Sequence, residues 1–160
     1  MPILYVFSGL PGVGKSTIAR ELAARSGAIW LRIDSIEKGM RDGELGVDDP
    51  KGVGYWAAQN VARDNLALNQ SVIADCVNPF ALTRDSWAEV AVVSKCDVCE
   101  IEVCCPNQSL HRERVEARET SNDWAAVSAR HFEPWNREVL RIDTEALSAD
   151  EAVTKILGSI

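Results

Sequence analysis

The stretch LYVFSGLPGVGKSTIAREL, Leu4–Leu22, decides the fold. Its opening run, Ile3–Ser8, is short and apolar on both faces, the pattern of a central strand in a parallel sheet. Its close places Ile18, Ala19, Leu22 and Ala23 at helical spacing, with Arg20, Glu21 and Arg25 facing out and Gly27 as a stop. Between the two lies Gly9-x4-Gly14-Lys15-Ser16, the P-loop pattern in its required strand–loop–helix setting. Gly9, Gly12 and Gly14 let the backbone, Val13 included, bend so that its N–H groups turn toward a β-phosphate. The helix starting near Lys15 adds its positive N-terminus. Lys15 offers an ammonium to the β/γ-oxygens, the Ser16 hydroxyl a ligand for Mg²⁺, and Thr17 a contact to the α-phosphate. The expectation is a site for a nucleotide's phosphates.

Outward from that stretch, the 160 residues are 46% hydrophobic and 26% charged, which predicts one domain spanning 1–160 with a full core. Lys and Arg number 17 against 24 Asp and Glu, a net charge of −7 with a pI near 4.9. An acidic surface of that kind repels a polyanion, so nucleic acid is disfavoured as a partner and a small molecule preferred. No apolar run approaches the roughly 18–20 residues of a membrane helix, and no cleavable leader pattern opens the chain, so the expected compartment is the cytoplasm. Cys76, Cys96, Cys99, Cys104 and Cys105 could be read as a metal or redox set. The run CDVCEIEVCC has strand character, however, and alternation sends neighbouring side chains to opposite faces. Small buried thiols are the favoured reading.

Strand-like and helical runs alternate along the chain. Strands are predicted at Ile3–Ser8, Ala28–Asp34, Ser71–Asp75, Val98–Cys105 and Arg137–Asp143. Helices are predicted after the glycine loop, from Ser35 into a Gly/Asp-rich loop, over Tyr55–Asn69, around Thr83–Ser94, along the charged NQSLHRERVEAR, and over Ala149–Leu157. This order implies a three-layer α/β/α fold around a parallel sheet.

A GTPase needs Asn-Lys-x-Asp after a strand, and the sequence has none in a suitable place. A motor ATPase carries Asp-Glu at the end of its Walker B strand, whereas here IADCV follows Asp75 with Cys76. What remains is a small phosphotransferase with a lid that excludes water. GLPGVGKST, the RID ending the second strand, VIADCVNPFALTRDSW and the Arg-rich HRERVEAR together resemble the small P-loop kinases: adenylate, shikimate, gluconate and adenylylsulfate kinases and chloramphenicol phosphotransferase. The likeness is closest to the "predicted kinase" branch, often labelled AAA-family ATPase, and covers nearly the whole chain. It implies a five-stranded parallel sheet in order 2-3-1-4-5, Mg-ATP as donor and a small-molecule hydroxyl or phosphate as acceptor.

By that resemblance Asp34 is the candidate base for the acceptor hydroxyl; on local grounds alone it could equally cap the helix from Ser35. Asp75 stands at the Walker B position and would hold Mg²⁺ with Ser16; a turn-forming role before Asn78-Pro79 is the alternative. Arg114 and Arg118 lie one turn apart, and similarity to adenylate kinase gives Arg114 the base and Arg118 the transferring phosphate, within a lid at about 112–130. Arg112 fits a solvated face better, with Glu113, Glu116 and Glu119 for partners. His111 and His131 are expected at the surface, Trp124 in the lid, and Trp30, Trp56, Trp87 and Trp135 in the core or pocket wall. Candidate acceptor contacts are Asp34, Arg41, Lys51, Tyr55, Asn78 and Arg84. Where adenylylsulfate kinases have Asp-x-x-Arg, this chain has Glu37, and Asp42, Glu44, Asp48 and Asp49 would suit a polyol or an amine. An adenylylsulfate-kinase-like enzyme, a 5′-hydroxyl polynucleotide kinase and a nucleotide-binding or hydrolysing regulator that transfers nothing stand as alternatives.

Overall fold

A computed structural model of the chain describes residues 1–43, 52–118 and 123–160. Glu44, Asp48, Asp49, Lys51 and Glu119 lie outside the described residues, as does part of the expected lid. Alternation along β1 (Ile3–Ser8) sets up the layers. Tyr5 and Phe7 enter one core with Ile18, Leu22, Ile101 and Ile142, while Leu4 and Val6 enter the other with Ile33, Ala62, Val72 and Trp87. Each such apolar side chain, fully removed from water, contributes roughly 1.5–3 kcal/mol.

On the first face lie α1 (Lys15–Ser26) and α7 (Ala149–Leu157), in contact with each other. On the second lie α3 (Val53–Ala67) and α4 (Ala81–Ser94), with α2 (Ile33–Asp42) packed on α3. The sheet adds β2 (Ile29–Arg32), β3 (Val72–Asp75), β4 (Asp97–Cys104) and β5 (Leu140–Asp143). Its order is β2-β3-β1-β4-β5 and every pairing is parallel, as the sequence implies. Two further helices, α5 (Gln108–Glu116) and α6 (Trp124–Ser128), follow β4 and begin at the side-chain caps Asn107 and Asp123. Among the described residues no helix is long and apolar enough to cross a membrane.

Most elements fall within a few residues of expectation, and α7 matches at both ends. The second strand ends two residues earlier than expected: it stops at Arg32, and α2 begins at Ile33 rather than Ser35. Ile33, only 1% exposed, plugs the second core as the helix turns off the sheet, so Asp34 sits in the first helical turn and Arg32 is the N-cap residue. The fifth strand also starts later than Arg137, whose guanidinium is committed to Glu100 and Asp85 instead. The cysteines are all free, and no group of three or more metal-capable side chains occurs among the described residues.

Candidate functional site

The parallel strands all end at one edge, and β1 runs there directly into the glycine loop. At Gly9 φ is +142°, and a Cβ would stand 2.2 Å from the Val103 carbonyl oxygen. At Gly12 φ is +86°, and a Cβ would meet Val115 Cγ2 at 2.5 Å. Three carbonyls of the loop are held from outside. Lys15 Nζ donates to Leu10 O at 3.0 Å, His111 Nε2 lies 2.8 Å from Pro11 O, and Thr144 Oγ1 donates to Val13 O at 2.8 Å. The amides that open α1 have no acceptor within the helix, and Gly14, Lys15, Ser16 and Thr17 line the cleft.

The cleft has a volume of about 1790 Å³. Its walls include Gly12, Gly14, Lys15, Ser16, Thr17, Asp34, Arg41, Tyr55, Asp75, Arg114 and Arg118, so most of the residues singled out from sequence do converge. Burial pushes the Lys15 ammonium down to about 8, against the opposing pull of Asp75 and Asp34. Asp75 is itself buried and accepts from Trp30 Nε1 at 3.1 Å. Its second oxygen and the Ser16 hydroxyl are hard oxygen donors on one cleft wall, a set that fits Mg²⁺. Asp34 is exposed, 3.7 Å from the Arg32 guanidinium, and Arg41 stands 3.9 Å from Glu37. Arg114 donates to both the hydroxyl and the carbonyl of Thr144, at 2.8 and 3.1 Å, which ties α5 to the same residue that grips Val13. Burial raises the Tyr55 phenol and the Cys76 thiol well above their ordinary ranges, so both stay protonated.

Three residues sit differently from expectation. Arg84 is fully buried and donates to the carbonyls of Asn78, Pro79, Glu133 and Pro134 at 2.7–3.3 Å. Its guanidinium lies 4.3 and 4.8 Å from the ring centres of Trp135 and Phe132, and it knits the chain together rather than lining the cleft. Asn78 is buried at a positive φ of 49°, its amide N donating to the Tyr55 hydroxyl at 2.9 Å. Val77 and Pro79 line the cleft on either side of it, while its own side chain does not. His111, expected at the surface, is 6% exposed: besides holding Pro11 it meets the Trp124 ring edge-on at 5.1 Å. His131 is exposed, and Trp56 is cleft wall. Sequence reading missed Thr144, Arg32 and Gln59: Arg32 stands in the RID motif without a role assigned to it, Thr144 only follows a strand end, and Gln59 belongs to no motif.

A family model described as an AAA domain matches residues 4–142. The chain is similar in structure to a provisionally assigned kinase from Chloroflexus aurantiacus: 20% identity, 99% of this chain and 95% of that one, TM-score 0.80. An APS kinase from Mycobacterium tuberculosis, solved with AMPPNP and APS, is 22% identical over 98% of this chain and 96% of that one, with a TM-score of 0.72. For a gluconokinase from Sinorhizobium meliloti the values are 20%, 98%, 90% and 0.68. What is shared at these identities is the fold, a P-loop fold common to kinases of several small molecules. Among curated proteins none matches by sequence.

Proposed function

The chain belongs to the AAA domain family, and on that premise we propose that it is an ATP-dependent phosphotransferase acting on a hydroxyl of a small molecule, with residues 1–160 forming one kinase domain. The observation that carries this reading is the cleft. At about 1790 Å³ it exceeds the roughly 300–1,000 Å³ of a pocket for one drug-sized ligand. Lys15, Ser16 and Thr17, which would meet phosphates, line it together with Asp34, Tyr55 and Trp56. Two ligands side by side suit a transfer reaction better than hydrolysis does.

In this reading the loop amides of Gly12 to Thr17 and the N-terminus of α1 hold the phosphates. Lys15, still charged at neutral pH, gains a counter-charge as the phosphates arrive and neutralises charge that grows on them during transfer. Ser16 and Asp75 would hold Mg²⁺, which would supply charge to offset that of the phosphates. Arg114, fixed by Thr144, flanks the base, and Arg118 reaches the moving phosphoryl group from the lid at about 112–130. Asp34 orients the acceptor hydroxyl and takes its proton as the oxygen–phosphorus bond forms and ADP departs. An exposed carboxylate suffices, because a loose transition state asks of a base chiefly that it be well placed.

The test is transfer of label from γ-labelled Mg-ATP into a fractionated metabolite extract, by wild type beside Asp34→Asn. The expected result is a labelled product with wild type only and unchanged ATP binding in the variant. Equal release of free phosphate by both proteins, with no labelled product, would replace the kinase with a hydrolysing regulator. Label on a 5′-hydroxyl oligonucleotide would replace the small-molecule acceptor.

A further inference from the structure

The part of the cleft away from the glycine loop has a chemistry of its own. Trp56, Phe80 and Leu82 all line it and are 65%, 43% and 80% exposed, although a folded chain has reason to cover such side chains. They are brought together by the hydrogen bond from the Asn78 amide to Tyr55, which joins the start of α3 to the segment after β3. The cations at that end are a different matter. Arg32 stands 3.7 Å from Asp34, Arg41 stands 3.9 Å from Glu37, and Lys38 bonds Asp42, so each already faces a carboxylate. These three cations are answered from within the protein, while Trp56 and Leu82 keep most of their apolar surface in water and Phe80, beside the His131 ring at 6.1 Å, keeps 43% of its own exposed. The wall holds one built polar group: buried Gln59, whose Nε2 donates to Ser86 Oγ at 2.7 Å while that hydroxyl donates on to Thr83 O. The Gln59 amide oxygen keeps the capacity to accept from a ligand hydroxyl.

We infer that the acceptor is an alcohol with a flat apolar body, aromatic in the simplest case, seated against Trp56, Phe80 and Leu82. Polyols and sugar acids fit this end less well. The inference rests on the phosphotransfer reading: the alcohol oxygen bonds to the γ-phosphorus, the bond from that phosphorus to the β–γ bridging oxygen breaks, the proton passes to Asp34 and ADP leaves. A polyol or a sugar acid would leave the three apolar side chains in water, and an aryl alcohol covers them.

Binding alone tests this, with no transfer required. Saturation-transfer NMR and tryptophan fluorescence would compare 2-phenylethanol and 2-naphthylethanol with glycerol, xylitol and gluconate, on wild type, Trp56→Ala and Leu82→Ser. Both substitutions fall on exposed side chains, which separates their effect from folding. The expected result is a preference for the aryl alcohols that falls at least about fivefold in each variant, with binding of a fluorescent ATP analogue unchanged. Preference for the polyols or gluconate, no binding by any probe, or aryl binding indifferent to both variants overturns it. Aryl binding with no labelled product from any alcohol or extract keeps the subsite and removes the transfer reading instead.

Discussion

Replacing Lys15 with methionine should stabilise the empty protein while destroying its activity. Burial lowers the Lys15 ammonium from an ordinary 10.5 to about 8, and a drop of that size corresponds to about 3 kcal/mol of destabilisation at neutral pH. Methionine fills a similar volume without a charge to desolvate. It forfeits the hydrogen bond to Leu10 O, about 1 kcal/mol, which leaves a net gain of about 2 kcal/mol. For a chain of this length that raises Tm by about 4–8 °C. The pH dependence carries the sign. Below pH 8 lysine is protonated in both folded and unfolded chains, and the full cost of burying the charge is present. Between 8 and 10.5 the folded protein loses its proton first, so wild-type stability rises with pH and the advantage of the variant shrinks; above 10.5 it has reversed, leaving the variant about 1 kcal/mol less stable for its lost hydrogen bond. Thermal melts of both proteins at pH 7, 9 and 10.5, without nucleotide, measure this directly. A variant that melts lower than wild type at pH 7, or whose gain persists at pH 10.5, would refute the reasoning. The same protonation should weaken wild-type ATP binding as pH rises past 8.

Gly12→Ala combines a φ of +86° with a Cβ 2.5 Å from buried Val115, so α5 must shift; a loss of about 1–3 kcal/mol in melts and weaker binding of a fluorescent ATP analogue are expected. Arg84→Met takes the guanidinium donor from the carbonyls of Asn78, Glu133 and Pro134, while Pro79 O keeps the Glu133 amide, and should cost about 2–4 kcal/mol, with the KM for ATP unchanged in the protein that folds. A wild-type Tm would remove the structural role given to Arg84. His111→Ala releases Pro11 O and bares the edge of Trp124: the KM for ATP should rise about tenfold with kcat little changed, and Trp124 fluorescence should shift. A wild-type KM would mean that the imidazole does not hold the loop.

The parts of this protein that were legible in its sequence are those whose physics is local. Gly9, Gly12 and Gly14 read correctly as a bent loop because left-handed backbone and the adjoining strand and helix leave a mark in neighbouring letters. The sheet order followed from a family likeness rather than from any residue. His111 failed because it stands among Arg112, Glu113 and Arg114, a run that reads as solvated, while its partner Pro11 is far away in the chain. Arg84 failed for a related reason: what satisfies it is backbone around Pro134, and a carbonyl acceptor has no sequence signature. Asp34 was placed near the right edge of the sheet but in the wrong local setting, since whether Ile33 ends a strand or begins a helix depends on the core it plugs. Thr144 is an ordinary residue after an ordinary strand until the loop it grips arrives beside it.

The three tethers on the glycine loop reach across 5, 100 and 131 residues of chain. Only the first is available while the chain is still growing. A nascent polypeptide long enough to display the whole phosphate motif has neither His111 nor Thr144 to pin its carbonyls, and the central strand still lacks β4 on one side. The cradle thus takes shape late, when β5 closes the sheet and carries Thr144 into place.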